Sequence, residues 1–262
     1  MQKSAERIKI AVHKFSSCDG CQLAFLNAGE DLLALGTECD IAFFAEAGLM
    51  DEQADVDIAF VEGSISTAKD EQRIRSVREH SQLLITIGAC ATAGGLQALR
   101  NLSTSGQWQQ SIYARPEYLD TLEVVTSIAE HVHVDYELWG CPISKKQLMA
   151  VVNSAKLGVF PAANHEKLCQ QCKRQQVSCV MVTQGKACLG PVTQSGCGAL
   201  CPAFGRDCFG CYGPAENSNP QALGERLVGL GLQPKQIAQH YHAIYSHVEP
   251  LKTNGKHWNE KS

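Results

Sequence analysis

The residues best equipped for chemistry in this 262-residue chain are its thirteen cysteines. Eight fall after residue 160: Cys169, Cys172, Cys179, Cys188, Cys197, Cys201, Cys208 and Cys211. The densest stretch, Gly196 to Pro214, reads GCGALCPAFGRDCFGCYGP. Cys18 and Cys21 form a CDGC near the start, Cys90 lies in IGACAT, Cys141 lies in LWGCPIS, and Cys39 has no cysteine neighbour. Thiols in this number form disulfides, hold metal or do redox chemistry. Disulfides fit poorly, because the count is odd and a reducing compartment keeps thiols free. The first residues, MQKSAER, run straight into IKIAV with no apolar signal region and no twin-arginine pair, so a cytoplasmic location is expected.

The eight later cysteines make two sets of four. The spacings CxxxCP at Cys197–Pro202 and CxxC at Cys208–Cys211, with glycine alongside and proline after, have the form of ferredoxin-type ligation. Two four-cysteine zinc sites fit the same spacings. Glycines let the chain wrap closely and leave backbone N–H groups facing sulfur, which offsets the negative charge of a cluster. From Pro161 to Gly213 no hydrophobic period is sustained, so the segment needs something covalent to hold it.

The first four cysteines depend on elements that are far more regular. Ile8–Val12, Asp40–Ala45, Val56–Val61, Leu83–Ile87 and His133–Leu138 read as five strands. Between them, Gln22–Leu35 has helical spacing and stops at Gly36, Lys69–His80 is a charged surface helix, a helix starts at Ala91 and runs to Arg100, and Ser144–Leu157 is helical. Strand alternating with helix predicts a parallel sheet covered on both faces. Residues 220–245 regain helical character, and the last dozen residues, ending NGKHWNEKS, read as a loose polar tail.

In an open parallel sheet, ligands bind beyond the carboxyl ends of the strands. Cys18 and Cys21 follow the first strand, Cys90 the fourth and Cys141 the fifth, so all four thiols are expected at one edge. Gly20, Gly88, Gly140 and Pro142 shape the loops that carry them. Glu62, in VEGS, ends the third strand at the same edge. It is a candidate catalytic participant, and capping a helix is its other reading. Singly, Cys90 and Cys141 read as small buried hydrophobes. Beside a CxxC they read as ligands, and four thiolates suit zinc or an iron–sulfur cluster. Cys39 opens a strand and reads as a core residue.

Composition narrows the field. A hydrophobic share of 44% supports a sizeable core. A net charge of -4 gives no basic footprint for nucleic acid. No apolar run of about 18 residues occurs, so no membrane span is expected. The nine histidines show no ligand spacing, and ACATAGG is not a dinucleotide fingerprint.

Taken as an ordered set, SSCDGCQL, VEGSIS, GACATAGG, GCPISKKQL and CLGPVTQSGCGALCPAFGRDCFGCYGP closely resemble the small subunit of nickel–iron hydrogenases. The resemblance is to the soluble, cytoplasmic, NAD(P)-linked group that includes sulfhydrogenase delta subunits, and it covers about residues 8–214. It implies an α/β fold: a flavodoxin-like doubly wound parallel sheet over residues 1–160, then an irregular iron–sulfur (ferredoxin-like) domain with a helical tail over 161–262. It implies a proximal 4Fe-4S cluster on Cys18, Cys21, Cys90 and Cys141. A medial and a distal 4Fe-4S cluster would take Cys169, Cys172, Cys179 and Cys211, and Cys188, Cys197, Cys201 and Cys208, following the ferredoxin habit of exchanging one cysteine between clusters. Periplasmic relatives use a histidine at the distal cluster and a three-iron medial cluster. Eight cysteines here imply three 4Fe-4S clusters instead.

The implied function is electron transfer between a NiFe centre, held by the hydrogenase large subunit, and iron–sulfur and flavin/NAD(P)-binding diaphorase subunits that carry FAD and NAD(P). An apolar interface with the large subunit is expected around residues 13–25, 62–66 and 90–100. A related subunit of a quinone-reducing complex and a zinc-stabilised scaffold are the competing readings. The first would have adjacent paired cysteines and lack the eight-cysteine extension. The second would be colourless and contain zinc.

Overall fold

A computed structural model describes residues 7–103, 105–162 and 166–262. The first half is a three-layer α/β sandwich built on six strands: β1 (Ile8–Lys14), β2 (Cys39–Phe44), β3 (Leu49–Met50), β4 (Val56–Glu62), β5 (Ser81–Ile87) and β6 (Tyr136–Leu138). Their order is β3-β2-β1-β4-β5-β6. Only β3 runs antiparallel, as a short edge against β2. The other five are parallel and, counted along that set, follow the order 2-1-3-4-5, one of the two common doubly wound arrangements.

Alternation along each strand explains the layers. Ile10, Val12, Ile58, Phe60, Ile85 and Ile87 point to one face. They pack against α1 (Gly20–Leu26), α2 (Glu30–Glu38) and α6 (Lys145–Ala155) through Phe25, Leu35, Leu148 and Val152. Ala11, Ala59, Val61 and Leu84 point the other way, against Ile74 and Val77 of α3 (Ala68–Glu79) and Ala91 of α4 (Gly88–Ala93). α3 starts where it does because Thr67 and Asp70 form a reciprocal cap. The Asp70 N–H donates to Thr67 Oγ1 at 3.1 Å, and the Thr67 N–H donates to Asp70 Oδ2 at 3.0 Å. Ser144 caps α6 from one side only, its hydroxyl accepting the Gln147 N–H at 3.2 Å.

The second half is built from short helices: α7 (Leu168–Arg174), α8 (Val180–Gln184), α9 (Leu200–Ala203), α10 (Pro220–Val228), α11 (Pro234–Tyr245) and α12 (Leu251–Glu260). A further helix, α5 (Ser105–Ile112), lies between α4 and β6 in the chain. Leu168, Leu189, Val192, Leu227, Ile237, Tyr241, Tyr245 and Trp258 form a second core, which also takes in Ala89 and Ala93 of α4.

Four expectations are corrected. The Gln22–Leu35 helix is two helices, α1 and α2, separated by a turn through Asn27–Gly29, and α2 continues through Gly36 to Glu38. The helix expected at Ala91–Arg100 begins earlier, at Gly88, and gives way to a 3-10 stretch at Gly95–Leu102. The fifth parallel strand is only three residues long, Tyr136–Leu138. The supposed tail is α12, whose Leu251 and Trp258 are buried against α11 and α10. Its polar residues face out, while one aromatic and one leucine, seven apart, make the narrow apolar stripe that docks it.

Candidate functional site

The strand order reverses between β1 and β4, and the loops leaving β1, β4, β5 and β6 meet at their carboxyl ends. Ser16 and Ser64 form an antiparallel bridge across this point, with Ser64 N–H to Ser16 O at 2.9 Å. Beyond Ser16 the chain turns through Asp19, whose carboxylate is held by Lys14 Nζ at 2.8 Å and by the Ser17 hydroxyl at 3.1 Å. α1 then opens at Gly20 and places Cys21 in its first turn. Glu62, at the end of β4, is 2% exposed. It accepts the Cys21 N–H on Oε1 at 2.9 Å and the Gln22 N–H on Oε2 at 3.3 Å. Both donors would otherwise be orphans at the helix start. Burial raises the pKa of Glu62, and the two N–H bonds pull it back. The geometry is that of a cap holding the CDGC loop.

Cys90 and Cys141 lie close enough to each other and to Cys18 and Cys21 for their charges to interact. Gly88 makes their approach possible. Its φ of +88° suits glycine, and a Cβ there would lie 2.4 Å from Cys21 Sγ. The Ala89 N–H donates to Gly140 O at 2.7 Å and ties the Cys90 loop to the Cys141 loop. Burial, then the neighbouring cysteines, pushes the Cys90 thiol up to about 12. Burial likewise raises Cys21 and Cys141. Burial and crowding disfavour free thiolates here, which suits ligands whose charge a metal centre would offset.

A second group surrounds a cavity of about 160 Å³ lined by Cys169, Cys172, Cys179 and Cys188. Burial and then its three neighbours push Cys169 up to about 11. A third set brings Cys211 beside Cys197 and Cys201, and burial followed by those neighbours and Cys141 pushes it up to about 12. Cys208, 5% exposed, adjoins Cys211 and also Cys188, whose Sγ accepts the Cys208 N–H at 3.3 Å. The Gly210 N–H points at Cys208 Sγ at 3.4 Å.

Two of these cysteines have neighbours outside the sets that the resemblance implied. Cys188, expected with Cys197, Cys201 and Cys208, lines the cavity beside Cys169, Cys172 and Cys179 while its Sγ accepts the Cys208 N–H. Cys211, expected with Cys169, Cys172 and Cys179, sits with Cys197 and Cys201. The cause is a pair of backbone links. The Leu168 N–H donates to Thr193 O at 2.8 Å and draws the Cys188 loop onto α7, while the Gln194 N–H donates to Gly213 O at 3.0 Å and holds Cys211 on the far side, toward Cys141. The three groups therefore adjoin in a row: sheet edge, Cys197–Cys211, Cys169–Cys188.

Among the described residues, no three His, Cys, Asp or Glu donors stand close enough for a single metal ion. One tetrahedral zinc would draw its sulfurs to roughly 3.8 Å from each other. All-thiol donor sets with backbone N–H groups aimed at sulfur, around a cavity rather than a point, fit an iron–sulfur cluster. Cys39 is 1% exposed at the start of β2, and no cysteine is among its electrostatic neighbours.

The segments expected at an interface differ in exposure. Residues 62–66 are buried and form the floor of the sheet-edge group. Cys18, Leu23 and Leu96 are exposed around it. Three aromatics escaped the sequence reading: Trp139, Tyr212 and Tyr245. Trp139 and Tyr212 neighbour ligating loops in the sequence and could have been found by that proximity. Nothing in the sequence marks Tyr245.

A sequence model described as NADH ubiquinone oxidoreductase, 20 Kd subunit, matches residues 18–155. Sulfhydrogenase 2 subunit delta of Pyrococcus furiosus is 32% identical over 232 residues, which cover 88% of this chain and 97% of that one. A subunit of the F420-non-reducing hydrogenase vhu of Methanocaldococcus jannaschii is 28% identical over 80% of this chain and 83% of its own. NAD-reducing hydrogenase HoxS subunit delta of Cupriavidus necator is 28% identical over 52% of this chain and 72% of its own. Among solved structures, an NAD+-reducing [NiFe]-hydrogenase in the H2-reduced state superposes with a TM-score of 0.55 at 28% identity, over 60% of this chain and 96% of that one. The Ni-Fe-Se hydrogenase of Desulfomicrobium baculatum, at 15% identity and a TM-score of 0.56, shares the fold over 81% of this chain and 96% of its own.

Proposed function

Since this chain belongs to the NADH ubiquinone oxidoreductase 20 kDa subunit family, and within it to the small subunits of nickel–iron hydrogenases, we propose that it conducts electrons between a NiFe site on a large subunit and a flavin/NAD(P) module, using three 4Fe-4S clusters. The observation that carries this reading is the row of adjoining cysteine groups that starts at the sheet edge.

Cys18, Cys21, Cys90 and Cys141 would hold the proximal cluster. Cys197, Cys201, Cys208 and Cys211 would hold the medial one, and Cys169, Cys172, Cys179 and Cys188 the distal one. When bound, such a cluster supplies reversible one-electron chemistry. The chain's own task is to hold, space and insulate. Gly88 lets Cys21 close in, Glu62 fixes the peptide of Cys21, and the Cys208 and Gly210 N–H groups stabilise charge on sulfur. Glu62 is thus a positioning residue in this reading.

The large subunit would cover the sheet edge around Cys18, Leu23 and Leu96. The acceptor module would dock near exposed Cys179, where Val182 and Phe204 are exposed. A flavin/NAD(P) acceptor is favoured by the NAD-reducing relatives, and a cytoplasmic location follows from it. We read residues 1–160 as a flavodoxin-like domain and 161–262 as an iron–sulfur domain, joined through the core they share at α4. The quinone-complex reading is disfavoured because hydrogenase subunits match over most of their length, including 97% of the sulfhydrogenase subunit.

The test is anaerobic purification of the complex from native cells. Three clusters of four irons require about twelve irons on this chain, with matching acid-labile sulfide and a brown colour. A colourless protein carrying zinc would overturn the proposal.

A further inference from the structure

We infer that Trp139 and Tyr245 form an aromatic wedge that seals the junction where the sheet-edge cysteine group meets the Cys197–Cys211 group, and that the C-terminal helices exist to deliver it. This rests on the reading of those cysteines as cluster ligands, and it gives residues 220–262 a role that the motifs left blank.

Tyr245 closes α11 and is 1% exposed. Its hydroxyl donates to the backbone oxygen of Cys211 at 3.0 Å. Its phenol lies within electrostatic reach of Cys211 and of Cys141, Cys90 and Cys21. Its ring stacks on Trp139, with centroids 5.4 Å apart and planes at 28°. Trp139 stands two residues before Cys141, and its indole N–H donates to Glu137 Oε2 at 3.1 Å. The face of Trp139 is also packed by Gly213, two residues after Cys211, where a Cβ would come within 2.4 Å of the ring. The wedge therefore touches the backbone of one group and grows from the loop of the other.

The helices behind it are tightly anchored. The Tyr241 hydroxyl donates to Pro220 O at 2.6 Å, which locks α11 to the start of α10. The Ser246 hydroxyl donates to Ala98 O at 3.3 Å, which ties the end of α11 to the stretch after Cys90. Leu251 and Trp258 of α12 brace α11 from behind. The pair acts as packing, not as a carrier. The Tyr245 hydroxyl faces a carbonyl oxygen, which accepts a hydrogen bond but cannot take the proton that oxidation of a phenol would release.

Solvent exposure is one of the levers on cluster potential. Water stabilises the more negative, reduced state, so a dry wedge holds the potentials of both flanking clusters down. The test uses the complete complex, prepared anaerobically, with three variants. Tyr245→Leu removes the ring stack and the hydroxyl. Tyr245→Phe removes the hydroxyl alone. Ile237→Ala opens a cavity elsewhere on α11 within the same core. Paramagnetic resonance during a redox titration reads each cluster's potential and the magnetic coupling between neighbours.

Tyr245→Leu should shift two of the three potentials upward and change the coupling between those two clusters. Tyr245→Phe, which keeps the ring in place, should leave both potentials close to those of the wild type. Ile237→Ala should lower thermal stability and leave the potentials alone. Iron lost from Tyr245→Leu but kept in Ile237→Ala would report the same failure of sealing. A fully loaded Tyr245→Leu with unchanged potentials and coupling, or an equal shift in Ile237→Ala, overturns the wedge. A wild-type complex without iron withdraws the underlying reading and the wedge with it.

Discussion

Val12, Phe60 and Ile85 in the sheet half, and Leu168, Leu189 and Tyr245 in the cysteine-rich half, are all at most 1% exposed. They are held there by different means. In the sheet half, continuous strands satisfy their own backbone groups and present two apolar faces, so burial follows from period alone. In the second half, helices α7, α8 and α9 are seven, five and four residues long. Helices that short are not stable by themselves. Their positions are fixed by loops carrying cysteines. In the proposed reading, one half is a scaffold that a cofactor would join, and the other is a wrapping that a cofactor would complete.

The largest effect should separate the halves by removing metal. Stripping iron anaerobically with a chelator should abolish amide-exchange protection across residues 168–213 while the amides of β4 and β5 stay protected. Simultaneous loss in both halves would mean that they are one cooperative unit and would break the contrast.

The next effect sharpens it by showing what the second half owes to ordinary packing. Trp258 is 4% exposed and lies against Gly224 of α10, where a Cβ would come 2.3 Å from its indole nitrogen. Trp258→Ala should cost about 3–5 kcal/mol by denaturant unfolding. A loss within error of zero would return α12 to the status of a tail.

The third belongs to the sheet half and needs no iron. His13 is 3% exposed, stacks on Phe43 at 4.8 Å, and its Nδ1 has no hydrogen-bond partner among the described residues. Burial first, then Arg73, lowers its pKa to about 4, with Glu52 opposing. In the unfolded chain it titrates near 6.5. The unfolded state therefore takes up the proton first as pH falls. The associated stability is present above about 6.5 and is lost as pH drops through about 4, a total of roughly 3 kcal/mol. His13→Phe should flatten that part of the stability–pH curve, measured by urea unfolding of the iron-free protein. An unchanged slope would refute the assignment.

Much of this was legible because the signals were local and periodic. Ile8–Val12, Val56–Val61 and Leu83–Ile87 lie inside the strands found, and the convergence of Cys18, Cys21, Cys90 and Cys141 follows from parallel strands having one carboxyl edge. The α1–α2 break was hidden because the apolar residues on both sides keep helical spacing across Asn27–Gly29. α12 was hidden because two apolar anchors in ten residues give a weak pattern, and their partners lie on α10 and α11. The grouping of the eight later cysteines is the part that residue types and spacing alone leave open. It depends on the links from Leu168 to Thr193 and from Gln194 to Gly213, which are contacts of backbone with backbone and leave no trace in residue type.

The row of cysteine groups also runs out of step with the chain. The group at the far end, Cys169 to Cys188, precedes in sequence the group in the middle, which is completed only at Cys211. During synthesis on a ribosome, the outer four thiols emerge before any of the central four, and Tyr245 emerges later than all of them. In the order of synthesis, the middle of the row is thus the last part to have all its thiols.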